Sequence, residues 1–417
     1  MLNPLKKNNS KKYFFVGILI SFLFNTAPAQ DRQFLIDASA NTTDANYWWS
    51  NKNSFGRESS NFDLQTSWRF KKNKRVYLVD ISLNSENKFY INESFIKYNL
   101  SEETFLRFGK YYRDFSTYLN DEISSGSMLV SHNAEPMPKI GLFTSRSIKK
   151  NQHINFEFGI ANGIFDKNEF YTSRPFLHEK FIYINVVKPG HEFGVGFVHE
   201  AMWGGSTVLL GDQPQKIKDF FKVFISADGP LKDGQPHANA LGNHLGIWDF
   251  YYKKNINDYT IKLYYQHFFE DTSGLRFANK WDGLWGLELI NYIPKTNILF
   301  EYLDTTNQFI NPPYVAESYY NHGEYRGGWS YKNYTIGNPF LNHVGPNPLN
   351  VIHMGINGPI SNDYFYKIKA SRKINTEDFI KYKIGIKKEI SLNQILNIFI
   401  INSEKKVGIE VSFSKIL

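Results

Sequence analysis

The chain of 417 residues has no cysteine. That excludes a disulfide framework, a thiolate metal site and a lipid-anchored N-terminus, all of which need a thiol. Long apolar runs are equally scarce. "YFFVGILISFLF", Tyr13 to Phe24, is the longest. At about a dozen residues it is too short to span a bilayer comfortably, and nothing later approaches the ~18 residues of a membrane helix. There is no G-x-S-x-G elbow, no P-loop, no dinucleotide fingerprint in a strand–helix context and no HExxH. An excess of one charge is also missing. The formal charge is +8, and the first 29 residues hold four lysines and no acid. The remainder of the chain is only mildly basic, with no dense stripe of the kind nucleic acid requires.

Those four lysines, Lys6, Lys7, Lys11 and Lys12, precede the apolar run, and Ala27-Pro28-Ala29 follows it. Basic, apolar and small-residue segments in that order make a secretory signal over residues 1–29, with the mature chain starting at Gln30. What is plentiful beyond it is aromatic: Phe, Tyr and Trp make up 17% of the chain. Aromatic girdles at both interfaces of a membrane barrel use this composition.

Period-2 alternation dominates residues 30–417. In "NFDLQTSWRF", Phe62, Leu64, Thr66, Trp68 and Phe70 share one face, opposite Asp63, Gln65, Ser67 and Arg69. "INFEFGI" sets Ile154, Phe156, Phe158 and Ile160 against Asn155, Glu157 and Gly159, and Val407, Ile409, Val411 and Phe413 alternate at the end of the chain. A soluble sandwich would alternate too. Loop length separates the two readings. Short polar turns fall at 72–75, 101–103, 148–152, 188–192, 255–258, 293–296, 361–363 and 391–394. The connections between them include 43–60, 113–138, 162–178, 200–243, 269–282 and 306–350, long and rich in Gly, Asn, Pro and aromatics. Three others, near 84–88, 372–376 and 402–406, are short. Every long loop therefore falls at one end, as in membrane barrels with periplasmic turns and extracellular loops. The reading is an all-β, transmembrane, antiparallel up-and-down β-barrel of about 18 strands over residues 30–417. Its long extracellular loops, 200–243 and 306–350 foremost, fold into or over the lumen. Arg69, Glu93, Lys97, Arg107, Glu157, Lys262, Glu301, Lys367 and Lys383 fall on inward faces, as polar lumen lining.

Five segments at the long-loop end carry chemistry: "GSMLVSHNAEPMPKIGL" (126–142), "HEAMWGG" (199–205), "NALGNHLGIWDF" (239–250), "YYQHFFEDTSG" (264–274) and "YYNHGEYRGGWSYKNYTIGNPF" (319–340). Trp203 beside Gly204-Gly205 offers a flat apolar face for stacking on a pyranose, with glycines that let a ligand approach the backbone. The alternative is a Trp of the interfacial belt. Tyr319, Tyr320, Tyr325 and Arg326 form a second aromatic group, in which the guanidinium suits a uronate carboxylate; otherwise they pack a loop into the lumen. Glu270 and Asp271 are adjacent, so they point apart and do not flank a substrate as a glycosidase pair must. A loop-locking role with Arg276 or Lys280 fits them better. His199-Glu200 and His322-x-Glu324 lack metal-site spacing, so no metal and no cofactor are expected.

Taken in order, these segments resemble the Wzi capsule-assembly family. Met202 to Gly205 is similar to its Gln/Met-Trp-Gly-Gly element. Gly242-Asn243-His244-Leu245 with Asp249-Phe250 resembles a "GN-x-L…D-F" strand start, and Glu270-Asp271 with Ser273-Gly274 an "EDESG"-like loop. "FEYLDTTNQ" (300–308), Tyr319-Tyr320 with Gly323 and Tyr325, and the closing "GIEVSFS" extend the likeness over roughly residues 105–417. The resemblance implies an outer-membrane barrel of a Gram-negative bacterium, acting as a non-enzymatic lectin that attaches or assembles capsular polysaccharide. It places polysaccharide contacts at Trp203, Asn243, His244, Tyr319, Tyr320, Tyr325 and Arg326. Acidic or neutral surface polysaccharide would be the main partner. Outer-membrane lipid, lipopolysaccharide and the barrel assembly machinery would be further partners, and nucleic acid would not. Enterobacterial members carry a periplasmic helical domain before the barrel. Here "QFLIDASANTT" leads almost at once into alternation, with no capped 3.6-period segment, so no such domain is expected. The rival reading is a diffusion porin for small or anionic solutes; a third, an outer-membrane hydrolase, would need a carboxylate whose removal abolishes turnover.

Overall fold

The computed structural model describes residues 32–42, 55–58, 60–148, 151–231, 238–308, 319–345, 348–374, 380–403 and 406–417. The leader read over residues 1–29 lies outside them. Eighteen antiparallel strands close one barrel. They are β1 Arg32–Asn41, β2 Phe62–Lys72, β3 Arg75–Asn84, β4 in two pieces (Phe89–Ile91 and Ser94–Asn99), β5 Thr104–Lys110, β6 Pro138–Ile148, β7 Asn151–Ile164, β8 Phe176–Lys188 and β9 His191–Trp203. The second half comprises β10 Asn243–Ile256, β11 Tyr259–Phe269, β12 Gly283–Ile290, β13 Asn297–Asp304, β14 Asn350–Pro359, β15 Tyr364–Ile374, β16 Lys381–Ser391, β17 Gln394–Ser403 and β18 Lys406–Ile416. Each strand pairs with its sequence neighbour, and β18 returns to β1 with Phe413 opposite Ala38. Closure leaves the barrel, among the described residues, without an edge strand of unpaired backbone groups, which hydrocarbon would not tolerate.

The alternation builds the wall as expected. Phe156 and Phe158 are exposed on the outside, as are Ile182, Ile184, Ile384, Ile386, Ile398, Ile400 and Phe413. These form the lipid-facing belt. The short-turn end is tight: Asn73 and Asn257, each the first residue of a two-residue hairpin loop, hold φ of 52° and 50°. Asn adopts this left-handed conformation more readily than most side chains. Inside, several large rings lie flat over a glycine of the neighbouring strand. A Cβ at Gly196 would sit 2.2 Å from the Tyr183 ring, and one at Gly286 would sit 1.9 Å from that of Tyr264.

Much of the lumen is occupied by the chain itself. The connection between β5 and β6 runs down into the barrel and buries Tyr112, Phe115, Ile123, Met128 and Leu129 almost completely. Residues 319–345 cover it from above. Trp329 Nε1 donates to the Leu129 carbonyl at 2.8 Å, Asn338 Nδ2 to that of Gly126 at 2.9 Å, and Ser131 N to that of Ile336 at 2.9 Å. The inward charges, read from sequence as lumen lining, largely anchor this plug. Glu93 accepts from Tyr112 N, Arg107 pairs with Asp114 at 2.8 Å, and Lys367 pairs with Glu122 at 3.1 Å. Lys262 Nζ donates to the Tyr118 carbonyl at 2.6 Å, and Glu301 accepts from Ser124 Oγ and Ser125 N, both at 2.6 Å. Asp249 accepts from Ser116 Oγ at 2.5 Å, from Tyr183 OH at 2.6 Å and from Tyr118 OH.

One loop departs from expectation. The long connection between β9 and β10, read as a lumen plug, instead carries a helix, α1, Ile217–Phe224, and packs on the outer wall. The reason lies in which strand faces it covers. Val223 and Phe220 cluster with Trp203 and Leu241, and Phe220 and Phe224 contact the His178 ring. His178 and Trp203 stand on the faces that Ile182 and Phe197 share, and Ile182 is exposed to the outside.

Candidate functional site

The long-loop end presents a cap built from three loops. Tyr171–Ser173, after β7, pairs with Ser206–Thr207, after β9, and the latter pairs with Gly211–Asp212. The two loops are further joined by Val208 N donating to the Phe170 carbonyl at 2.9 Å and Thr172 Oγ1 to that of Ser206 at 3.3 Å. The third loop docks through Tyr325, whose hydroxyl donates to the Gly204 carbonyl at 3.2 Å. Gly204 and Gly205 hold φ of 61° and 70°, and a Cβ on Gly205 would strike the Arg174 backbone at 2.8 Å. The twin glycines thus let the two loops approach closely where they meet. In "YRGGW", Gly328 at φ 62° would place a Cβ 2.0 Å from the His343 carbonyl oxygen. Only glycine fits this turn. It sends Tyr325 and Trp329 inward and leaves Arg326 exposed. Arg174, Thr172 and Ser173 are exposed on the first loop. The cap therefore offers cationic and hydroxyl-bearing side chains on a fixed frame.

The expected contact residues divide sharply. Arg326 is at the surface. Tyr319, Tyr320 and Tyr325 are at most 2% exposed, so none offers a ring face to a sugar. Burial pushes their hydroxyls well above the ordinary tyrosine range, so they act as neutral donors. Tyr320 OH donates to the Met128 carbonyl and Tyr319 OH to Asp282 at 2.8 Å. Tyr320 thus ties the cap to the plug, Tyr319 ties it to the loop before β12, and Tyr325 joins its loops to one another. Trp203 lies on the outer wall between Phe176 and Phe220, with ring centroids 5.2 and 5.7 Å away, and it is largely buried. Its place matches the interfacial alternative. Asn243 and His244 are buried at the start of β10. His244 Nδ1 meets His199 Nε2 at 2.8 Å, and its Nε2 meets the Leu241 carbonyl at 3.0 Å.

The acidic pair makes one contact between loops and one within its own loop. Glu270 accepts from Tyr320 N at 2.8 Å, and Asp271 from Gly274 N at 3.0 Å. Arg276 is exposed. The stronger tie was not singled out in the sequence. Asp282 accepts from Asn307 N at 2.9 Å, from Asn307 Nδ2 at 3.0 Å and from Tyr319 OH, and so joins two long loops. Burial outweighs these bonds and pushes its carboxyl up to about 6. No group of three or more His, Asp or Glu side chains able to hold a metal ion occurs among the described residues.

A profile of the family described as "Capsule assembly protein Wzi" matches residues 32–344. Among solved structures, the chain is similar to Wzi of Escherichia coli, described as an outer membrane protein involved in group 1 capsule assembly and a carbohydrate-binding β-barrel. The TM-score is 0.63 at 13% identity, over 98% of this chain and 89% of that one. OccK5 (OpdH) of Pseudomonas aeruginosa gives 0.44 at 8% identity over 93% and 98%. An anion-selective porin of Comamonas acidovorans gives 0.39 at 8% over 93% and 98%. No curated protein matches the chain.

Proposed function

This chain belongs to the Wzi capsule assembly family, and from that premise we propose that it is an outer-membrane lectin that holds surface polysaccharide on its extracellular cap without making or breaking bonds. The observation that carries the reading is the combination of a lumen occupied by the chain's own loop with an exposed cap whose loops are bonded to one another. A barrel whose inward charges are bonded to its own loop is built to present a surface, and this also argues against a diffusion porin. Arg326 and Arg174 supply positive charge for uronate or other anionic groups, and hydroxyls of Thr172 and Ser173 supply hydrogen bonds. Each exposed contact is weak, and a repeating polymer engages many of them at once. Glu270 and Asp271 are taken up in holding loops, in keeping with a binding role.

The test is binding of an acidic capsular polysaccharide to immobilised, detergent-folded protein, with neutral dextran as control. Arg326 is open to solvent, so Arg326→Ala should cost about 0.2–1 kcal/mol per contact, and the double Arg174→Ala, Arg326→Ala more. Rising salt should weaken wild type more than the double variant. Equal binding by all three proteins, with folding intact, would refute this cap as the site.

A further inference from the structure

We propose that α1 is a clasp lying in the outer leaflet, and that the groove between it and the barrel wall receives an acyl chain of a phosphorylated outer-leaflet lipid. This is independent of the polysaccharide reading.

The depth of the helix follows from strand register. Phe176, His178, Lys180, Ile182 and Ile184 alternate onto one face of β8, and Ile182 and Ile184 are lipid-exposed. The paired residues Trp203, Ala201, His199 and Phe197 of β9 share that face, as does His244 opposite Ala201. Three histidines and a lysine thus point outward, and His199 lies four residues below the end of its strand. In hydrocarbon these groups would be stranded. Instead α1 and the chain after it cover them. Lys180 Nζ donates to the Phe224 carbonyl at the end of α1 and lies 4.6 Å from the centroid of that ring. Ser226 Oγ meets His199 Nε2 at 3.1 Å, and Phe220 stands edge-on to His178 with centroids 5.3 Å apart. A segment bonded to these side chains lies against the outside of the wall, below the rim.

The side of α1 turned away from the wall is apolar. Ile217, Phe221 and Ile225, spaced four residues apart, are 82%, 62% and 71% exposed. Lys218 and Lys222 continue the same exposed arc, and Lys222 Nζ also reaches the Asp228 carbonyl at 3.0 Å. An apolar stripe bordered by lysines is how helices lie in a membrane interface. Beside it, Phe108, Ile140, Ile164, Phe176, Trp203 and Phe220 line a groove of about 540 Å³. Phe108 and Ile140 belong to the lipid-facing belt, so the groove opens directly onto acyl chains. Continuity with the belt selects a lipid as the occupant, and the lysines select an anionic phosphate head.

The test uses full-length protein in nanodiscs. Phe221→Trp should gain fluorescence that phosphatidylcholine with brominated acyl chains quenches about as strongly as it quenches Phe156→Trp on the belt. Quenching by aqueous iodide instead would overturn the placement. Protection from both quenchers would mean that protein, such as a second copy, covers the face, and would overturn it equally. In native mass spectrometry, wild type should retain lipid A over phosphatidylcholine, and Lys218→Ala, Lys222→Ala should lose that preference at least tenfold. Undiminished retention of lipid A by the double variant would overturn the head-group assignment.

Discussion

Replacing Glu301 by alanine isolates what a lumen charge does for the plug. Its carboxylate accepts from Ser124 Oγ and Ser125 N, each at 2.6 Å, and from Tyr264 OH. Two of these bonds fasten the inserted loop; the third orients the acceptor from the neighbouring wall. A hydrogen bond to a charged group contributes about 1.5–3 kcal/mol. The two loop bonds share one acceptor, so their losses do not add fully, and water entering the vacated space recovers part. A loss of about 3 kcal/mol in the free energy of local opening is the result, or roughly a 100-fold rise in the open population. The barrel ladder is untouched, so hydrogen exchange is the right assay. In detergent-folded protein, the amides of Ser125 and Met128 should exchange roughly 100-fold faster in Glu301→Ala, while those of β13 and β14 stay protected. Glu157→Ala is the control, since Glu157 accepts from Asn185 of the wall. Loop amides exchanging within about threefold of wild type would show that Glu301 is lumen lining and not an anchor, and would refute the inference that inward charges hold the plug.

Intact protein in planar bilayers should conduct little, and deleting residues 116–131 behind a short linker should open a steady pore; a large stable conductance in the intact protein would restore the porin reading. Asp282 gives a pH dependence of defined sign. Its folded-state carboxyl sits at about 6 against an ordinary 3.8, so between those values the folded protein binds the extra proton. Stability of the lock between the two loops should therefore fall as pH rises through about 4 to 6, by at most about 3 kcal/mol, and level off above. Exchange rates over 319–329 measure it, and an undiminished slope in Asp282→Asn would assign the effect elsewhere. Tags at Asn73 or Asn257 should be shielded in intact cells and a tag between Gly211 and Asp212 labelled; the reverse pattern would invert the barrel. The mass of the purified protein should correspond to a start at Gln30; a heavier chain would show that the leader is not removed there.

The wall was legible because strand formation is local. Alternation with a period of two, as in Phe62 to Leu64 or Val407 to Phe413, states which side chains meet lipid whatever the partner strand. The short turns around Asn73 and Asn257 and the long loops opposite them set strand number and orientation in the same way. The family likeness in "MWGG", "GNHLGIWDF" and the "YY…YRGGW" segment was also visible, but not what those residues do. Trp203, Tyr319, Tyr320 and Tyr325 read equally well as open stacking faces or packed rings, because an aromatic side chain is suited to both and exposure is not a local property. The helix at Ile217–Phe224 could have been found: Ile217, Phe220, Phe221 and Phe224 have helical spacing, and Asp219 caps through Lys216 N at 2.9 Å. Its place outside the barrel could not, since that depends on outward-pointing His178, Lys180 and His199, on strands that only register brings side by side. For the same reason the sequence read Lys262 and Glu301 correctly as inward and could not tell a wet channel from a filled one. Facing inward follows from the backbone's own period; having a partner there depends on a loop more than a hundred residues away in the chain, and only the closed barrel brings the two together.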